Sequence, residues 1–168
     1  SISSIAKEND LKLHIDGARI WHAILEEDKG YDYGNFCDSL TFCFSKGLGA
    51  PIGSMLLGSS DFIEDSREYR KKLGGGMRQV GIIASAAKYA INMRDEILHD
   101  HEKTHYIYKK LSEIKEKLNL IDEIQYKGTN MIFLIFKDNK MSTDFLKKLE
   151  KGNIKAGLIK KNIVRLVL

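Results

Sequence analysis

Leu11, Leu13 and Ile15 alternate with Lys12, His14 and Asp16, and that two-residue period predicts a strand with His14 and Asp16 on one face and the apolar residues on the other. Residues 3–9 read as the end of a helix that Asn9-Asp10 breaks. Gly17 closes the strand, Ala18 to Glu27 predicts a short helix, and Tyr31 to Asn35, with glycines nearby, predicts a loop. Ser39 to Phe44 is rich in β-branched and aromatic residues and predicts a second strand, and Gly53 to Leu57 predicts a third beyond a glycine turn. A helix follows from Ser60 or Asp61 to about Lys72, where Gly74-Gly75-Gly76 halts it.

Gln79 to Leu118 holds long helical stretches, first rich in alanine (Ala84, Ala86, Ala87, Ala90) and then heavily charged. The pattern then changes: strands near Ile124–Tyr126 and over Met131–Phe136, a helix from Ser142 or Thr143 to about Lys151, and short strands near Ala156–Ile159 and Ile163–Val167. Strand-helix-strand-strand, a long helix and a β-α-β tail define an α/β chain. We expect a larger domain over 1–85, a connecting helix over 86–118 and a smaller α+β domain over 119–168.

Composition narrows the class. With 168 residues, 43% hydrophobic and 30% charged, the chain can bury a core and is not disordered. It holds no apolar run of membrane-spanning length, roughly 20 residues, and no signal-peptide pattern, which predicts a soluble, cytoplasmic protein. Cys37 and Cys43 lack metal-like spacing and are expected as reduced, buried thiols. The formal net charge is +4, but Lys and Arg interleave with Asp and Glu from Arg94 to Lys117, as on a solvated helix face, and a nucleic-acid partner is not expected. The chain opens on Ser1-Ile2-Ser3-Ser4 and stops at Arg165-Leu166-Val167-Leu168 inside a predicted strand, so a piece of a longer protein is expected.

Candidate chemistry sits in three blocks: His14-Ile15-Asp16-Gly17-Ala18-Arg19, Ser45-Lys46-Gly47-Leu48-Gly49-Ala50-Pro51-Ile52-Gly53-Ser54, and Lys71-Lys72-Leu73-Gly74-Gly75-Gly76-Met77-Arg78-Gln79. Lys46, at the end of an apolar strand and beside glycines that let backbone approach closely, is placed either to form an imine or simply to meet solvent. Asp16 is either a ligand at a strand end or the cap of the helix behind it. A glycine triplet followed by arginine suits a phosphate site or a flexible turn.

In this combination and order the blocks resemble those of the low-specificity L-threonine aldolases, pyridoxal-phosphate enzymes of the aspartate-aminotransferase-like fold, or fold type I. The likeness runs over nearly the whole chain, and it implies a segment lacking the N-terminal part and the extreme C-terminus. It implies part of the large domain plus an incomplete small one, and cleavage of L-threonine or L-allo-threonine to glycine and acetaldehyde. Lys46 would carry pyridoxal 5'-phosphate as an imine, and Asp16 would face its ring nitrogen and keep the ring an electron sink. Arg19 would lie by the cofactor's phenolic oxygen and the substrate. Lys71 and Arg78 would reach the phosphate of a cofactor held by a neighbouring subunit, which requires a homodimer or homotetramer. Arg165 would grip the substrate carboxylate with its two-pronged guanidinium, although Leu168 stands where the family continues towards a histidine. His14 is expected as a hydrogen-bond partner behind the site rather than as an acid or base. The phosphate loop, the ring-stacking histidine and the histidine near the substrate hydroxyl would lie before Ser1, so the segment alone is expected to be inactive. A β-eliminating lyase or amino-acid racemase on the same cofactor, or a catalytically dead dimerisation relative, are the alternatives.

Overall fold

The computed structural model describes residues 1–27, 32–118 and 120–168. It divides into two compact units, Ser1–Ile97 and Leu98–Leu168.

In the first unit helix α1 (Ile2–Glu8) is capped by the Ser1 hydroxyl, which accepts from the Ser4 N–H. Asp10, with φ 52, turns the chain out of it. Strand β1 is only His14–Asp16. Lys12 and Leu13 stay outside the ladder because the Asp38 carboxylate takes the Leu13 N–H, and the Leu13 carbonyl accepts from Asp38 and Ser39. The alternation is real within the strand, where His14 and Asp16 are exposed and Ile15 half-buried, but Leu11 is exposed rather than core. Helix α2 (Ile20–Glu27) starts two residues later than expected, after a turn in which the Ile20 N–H reaches the Gly17 carbonyl.

Tyr33–Phe36 is a 3-10 turn and not a loop: the Asp32 carboxylate caps it by accepting from the Gly34 N–H. Tyr31 of that expected loop lies outside the described residues. Strand β2 (Ser39–Cys43) runs parallel to β1, with Asp16 opposite Thr41, and β3 (Ser54–Gly58) returns antiparallel to β2. Leu40, Phe42 and Phe44 point into a core completed by Ile20, Ala87, Ala90 and Ile97.

Helix α3 (Ser60–Lys72) follows a Ser59 cap and ends as expected, at Gly74 with φ +80. No residue of α3 is buried. The long helical region is broken: α4 (Gly81–Asn92), a 3-10 turn (Arg94–Ile97), then α5 (Leu98–Leu118). Residues 86–118 are therefore not one continuous rod.

The second unit is a four-stranded antiparallel sheet, order β4-β5-β7-β6, made of β4 (Ile121–Tyr126), β5 (Met131–Phe136), β6 (Gly157–Lys160) and β7 (Ile163–Val167). Strict alternation along β5 sends Ile132, Leu134 and Phe136 into a core with Val164, under α5 and α6 (Asn139–Lys151). Helix α6 begins before Ser142 because the Asp138 carboxylate accepts from the Met141 N–H. The Ser142 hydroxyl, wholly buried, is satisfied by the carbonyls of Asn139 and Lys161. Among the described residues no helix is long and apolar enough to cross a membrane, and no group of His, Cys, Asp or Glu could hold a metal ion.

Candidate active site

β1 and β2 are parallel, so their carboxyl ends lie side by side, which is where parallel α/β sheets bind ligands. Asp16 is the last residue of β1, and Lys46 comes three residues after β2 ends at Cys43. The strand ends are held close by Gly17, whose N–H donates to the Thr41 carbonyl at 2.7 Å. A Cβ on Gly17 would stand 2.6 Å from that same oxygen, so only glycine allows the approach.

One Asp16 oxygen accepts from the Ala18 N–H at 3.2 Å. The cap and the ligand are therefore not rivals: a backbone donor fixes the carboxylate, and its second oxygen has no hydrogen-bond partner among the described residues. His14, on the same exposed face, spends its ring nitrogens on β2, with Nδ1 2.8 Å from the Ser39 hydroxyl and Nε2 3.5 Å from that of Thr41. Arg19 is half-buried in the turn between β1 and α2.

The Lys46 amine is exposed and makes no ion pair or hydrogen bond among the described residues. Its loop is tightly tied, however. The Gly49 N–H donates to the Lys46 carbonyl at 2.9 Å, the Ala50 N–H to Phe44 at 3.0 Å, and the Phe44 N–H to Gly53 at 2.9 Å. Gly49 (φ +74) and Gly53 (φ +121) take conformations that suit glycine. Beneath the loop lies His22 of α2, only 1% exposed, against Gly47. No motif contained His22; the one signal was the obligatory glycine beside Lys46.

Lys71 lies in the last turn of α3 and Arg78 just past the glycine triplet, in a wholly exposed stretch. Lys72 is paired with Glu68 at 3.3 Å, whereas Lys71 and Arg78 have no ion-pair partner among the described residues. Arg165 belongs to the second unit, exposed on β7 with Phe133 and Gly157 as strand partners.

The shifted titrations are at the other end of the sheet. The Leu13 N–H and then the Lys12 ammonium hold the Asp38 carboxyl below its usual range, and Asp38 in turn raises Lys12. Burial, helped by Asp38 and Asp32, raises the Cys37 thiol. Both cysteines are free but half-exposed, not buried as expected. A cavity of about 800 Å³ lies there too, lined by Lys12, Asp38, Leu40, Leu57 and Phe62. Its Lys12 and Asp38 already pair at 3.1 Å and its Asp32 is spent on the 3-10 turn, whereas an unengaged amine and an anchored carboxylate at adjacent strand ends are equipped for chemistry. We take the carboxyl end of the sheet as the candidate site.

The fold is the α/β arrangement of fold type I enzymes. A structure from Exiguobacterium sp. 255-15, provisionally named an aromatic amino acid beta-eliminating lyase/threonine aldolase, superposes with a TM-score of 0.73 over 98% of this chain and 48% of its own, at 23% identity. The N-acetylornithine aminotransferase of Stenotrophomonas maltophilia K279a gives 0.68 over 99% and 43%, at 16% identity. The Beta-eliminating lyase family model matches residues 1–137, and the chain belongs to that family. More narrowly, it is 38% identical over 157 residues to low-specificity L-threonine aldolase 1 of Arabidopsis thaliana, covering 91% of this chain and 43% of that relative. The chain thus spans less than half the length of the curated relative it matches.

Proposed function

We propose that the protein containing this chain is a pyridoxal-phosphate-dependent lyase that cleaves L-threonine or L-allo-threonine to glycine and acetaldehyde. The likeness to the plant threonine aldolase, which carries the reading, coincides with an unengaged Lys46 and an anchored Asp16 at neighbouring strand ends. These residues fit the cofactor: an amine for its aldehyde, a carboxylate oxygen for its ring nitrogen, and glycines where backbone and ring must come close. When bound, pyridoxal phosphate supplies the electron sink for breaking the Cα–Cβ bond of an amino acid. Lys46 would hold the aldehyde through Nζ and yield it to the substrate amine. Asp16, held by the Ala18 N–H, would keep a proton on the ring nitrogen. Arg19 would contact the phenolic oxygen and the substrate, and Arg165 would bind the substrate carboxylate through two parallel hydrogen bonds. Lys71 and Arg78, unpaired and exposed, would serve the phosphate of a partner subunit in a cytoplasmic homodimer or homotetramer. In this reading 1–85 belongs to the large domain, 86–118 connects and 119–168 to the small one.

The family's name favours one second reading, β-elimination on the same lysine and carboxylate. Purified native protein given L-threonine, L-allo-threonine and L-serine separates the two: release of glycine with acetaldehyde supports the aldolase, and release of 2-oxo acid alone refutes it.

A further inference from the structure

We infer that His22 is a positioning residue for Lys46, the imidazole serving as the floor on which the lysine loop rests. The inference deepens the proposed function and depends on Lys46 being the cofactor lysine. A Cβ built on Gly47 would fall 2.1 Å from His22 Cε1, 2.8 Å from Nδ1 and 3.0 Å from Nε2. Three ring atoms within that range mean that the backbone next to Lys46 lies directly against the imidazole, with no room for a single carbon. The ring itself is 1% exposed and belongs to α2, whose start is fixed by the Asp16–Ala18 contact and by the Ile20 N–H to the Gly17 carbonyl.

His22 therefore joins the two blocks. Its helix is registered on the Asp16 turn, and its ring sets the level of the Lys46 loop, which hydrogen bonds at Gly49 and Ala50 make too tight to adjust independently. The distance from amine to carboxylate must match a rigid ring, and displacement by about 1 Å can cost on the order of a hundredfold in rate. A planar side chain packed under the loop fixes that distance, and a buried aliphatic residue of other shape would set a different one.

The test is borohydride trapping on the native protein loaded with pyridoxal phosphate, read by peptide mapping at Lys46, with exposed Lys109 as internal control and circular dichroism to count folded molecules. Per folded molecule, His22→Ala and Gly47→Ala should each lower labelling at Lys46 about tenfold and weaken cofactor binding, leaving Lys109 unchanged. The double variant should regain part of the loss of Gly47→Ala, because removing the ring makes room for the methyl group. Labelling at the wild-type rate in either folded single variant, or no regain in the double, overturns the inference. Failure of both single variants to fold also overturns it, since the contact would then serve the fold and not the lysine. Absence of labelling at Lys46 in the wild type would instead sink the proposed function, and the two failures are thus told apart.

Discussion

Both units bury a hydrophobic core, but they differ in how they treat the apolar residues around it. In the second, β5 and β7 alternate cleanly, and Ile132, Leu134 and Val164 are 0% exposed. In the first, α3 buries nothing, Leu73 is 84% and Ile82 79% exposed, and β3 presents four of its five residues to solvent. Yet all the candidate cofactor residues lie in the first unit. The first unit also has its own core around Leu40, Phe42 and Phe44, so within it packing and chemistry fall to different side chains, and a substitution should damage one or the other according to which set it strikes.

The largest effect is expected at Lys46. Lys46→Ala in the native protein should lose threonine cleavage by orders of magnitude and keep its thermal midpoint, because an exposed side chain with no partner adds little stability. A matching fall in stability would break the separation. Asp16→Asn should still bind cofactor but cleave about 10²–10³-fold more slowly, the usual size of losing one preorganised electrostatic partner. Asp16→Glu should lose less, and wild-type turnover in Asp16→Asn would reduce the carboxylate to a turn cap.

Mixing Lys46→Ala with Arg78→Ala subunits should recover about a quarter of wild-type activity, since half of the dimers are mixed and each holds one intact site. No recovery once subunit exchange is verified by mass would remove Arg78 from the partner's site. In the second unit Leu134→Ala should cost about 2–5 kcal/mol in denaturant unfolding. Leu73→Ala should stay within about 0.5 kcal/mol, and equal costs would erase the contrast between the units.

The smallest effect is electrostatic. The folded-state pKa of Asp38 is depressed, so its contribution is present above the unfolded carboxyl pKa and fades as pH falls through the lower folded value. Lys12 mirrors it: its raised pKa supports the fold below its ordinary value and ceases to as pH rises through the shifted one. Both groups are exposed, so the gap in thermal midpoint between wild type and Asp38→Asn should be modest at neutral pH and close in acid. A gap that widens in acid would show the sign to be wrong.

Legibility followed how local the cause was. Helix α3 could be bounded at Ser60 or Asp61 and at the glycine triplet because its cap and stop lie within a few residues of its ends. The 3-10 turn at Tyr33–Phe36 was hidden because Gly34 and Asn35 look like breakers until Asp32 is seen capping them. β1 came out short because Asp38, distant in sequence, takes the amide that would have extended it. At the site, Lys46 and Asp16 were visible as types in context, and their shared strand-end position followed once β1 and β2 paired in parallel. His22 was invisible, since its meaning depends on the backbone of a loop about 25 residues further on.

The bond from the Gly17 N–H to the Thr41 carbonyl has a consequence for solvent exchange. Gly17 is buried, and its hydrogen is held just past the last paired residues of β1 and β2, next to Asp16. That amide can trade its hydrogen for deuterium only when the two strands part, and so its rate reads the lifetime of the closed pair at the site. Slow exchange at Gly17 beside fast exchange at the amides of Gly76 to Arg78, in the exposed stretch after α3, would mean that the carboxylate and the lysine are kept in register before any cofactor arrives. Equal rates would mean that the cofactor itself must draw the strands together.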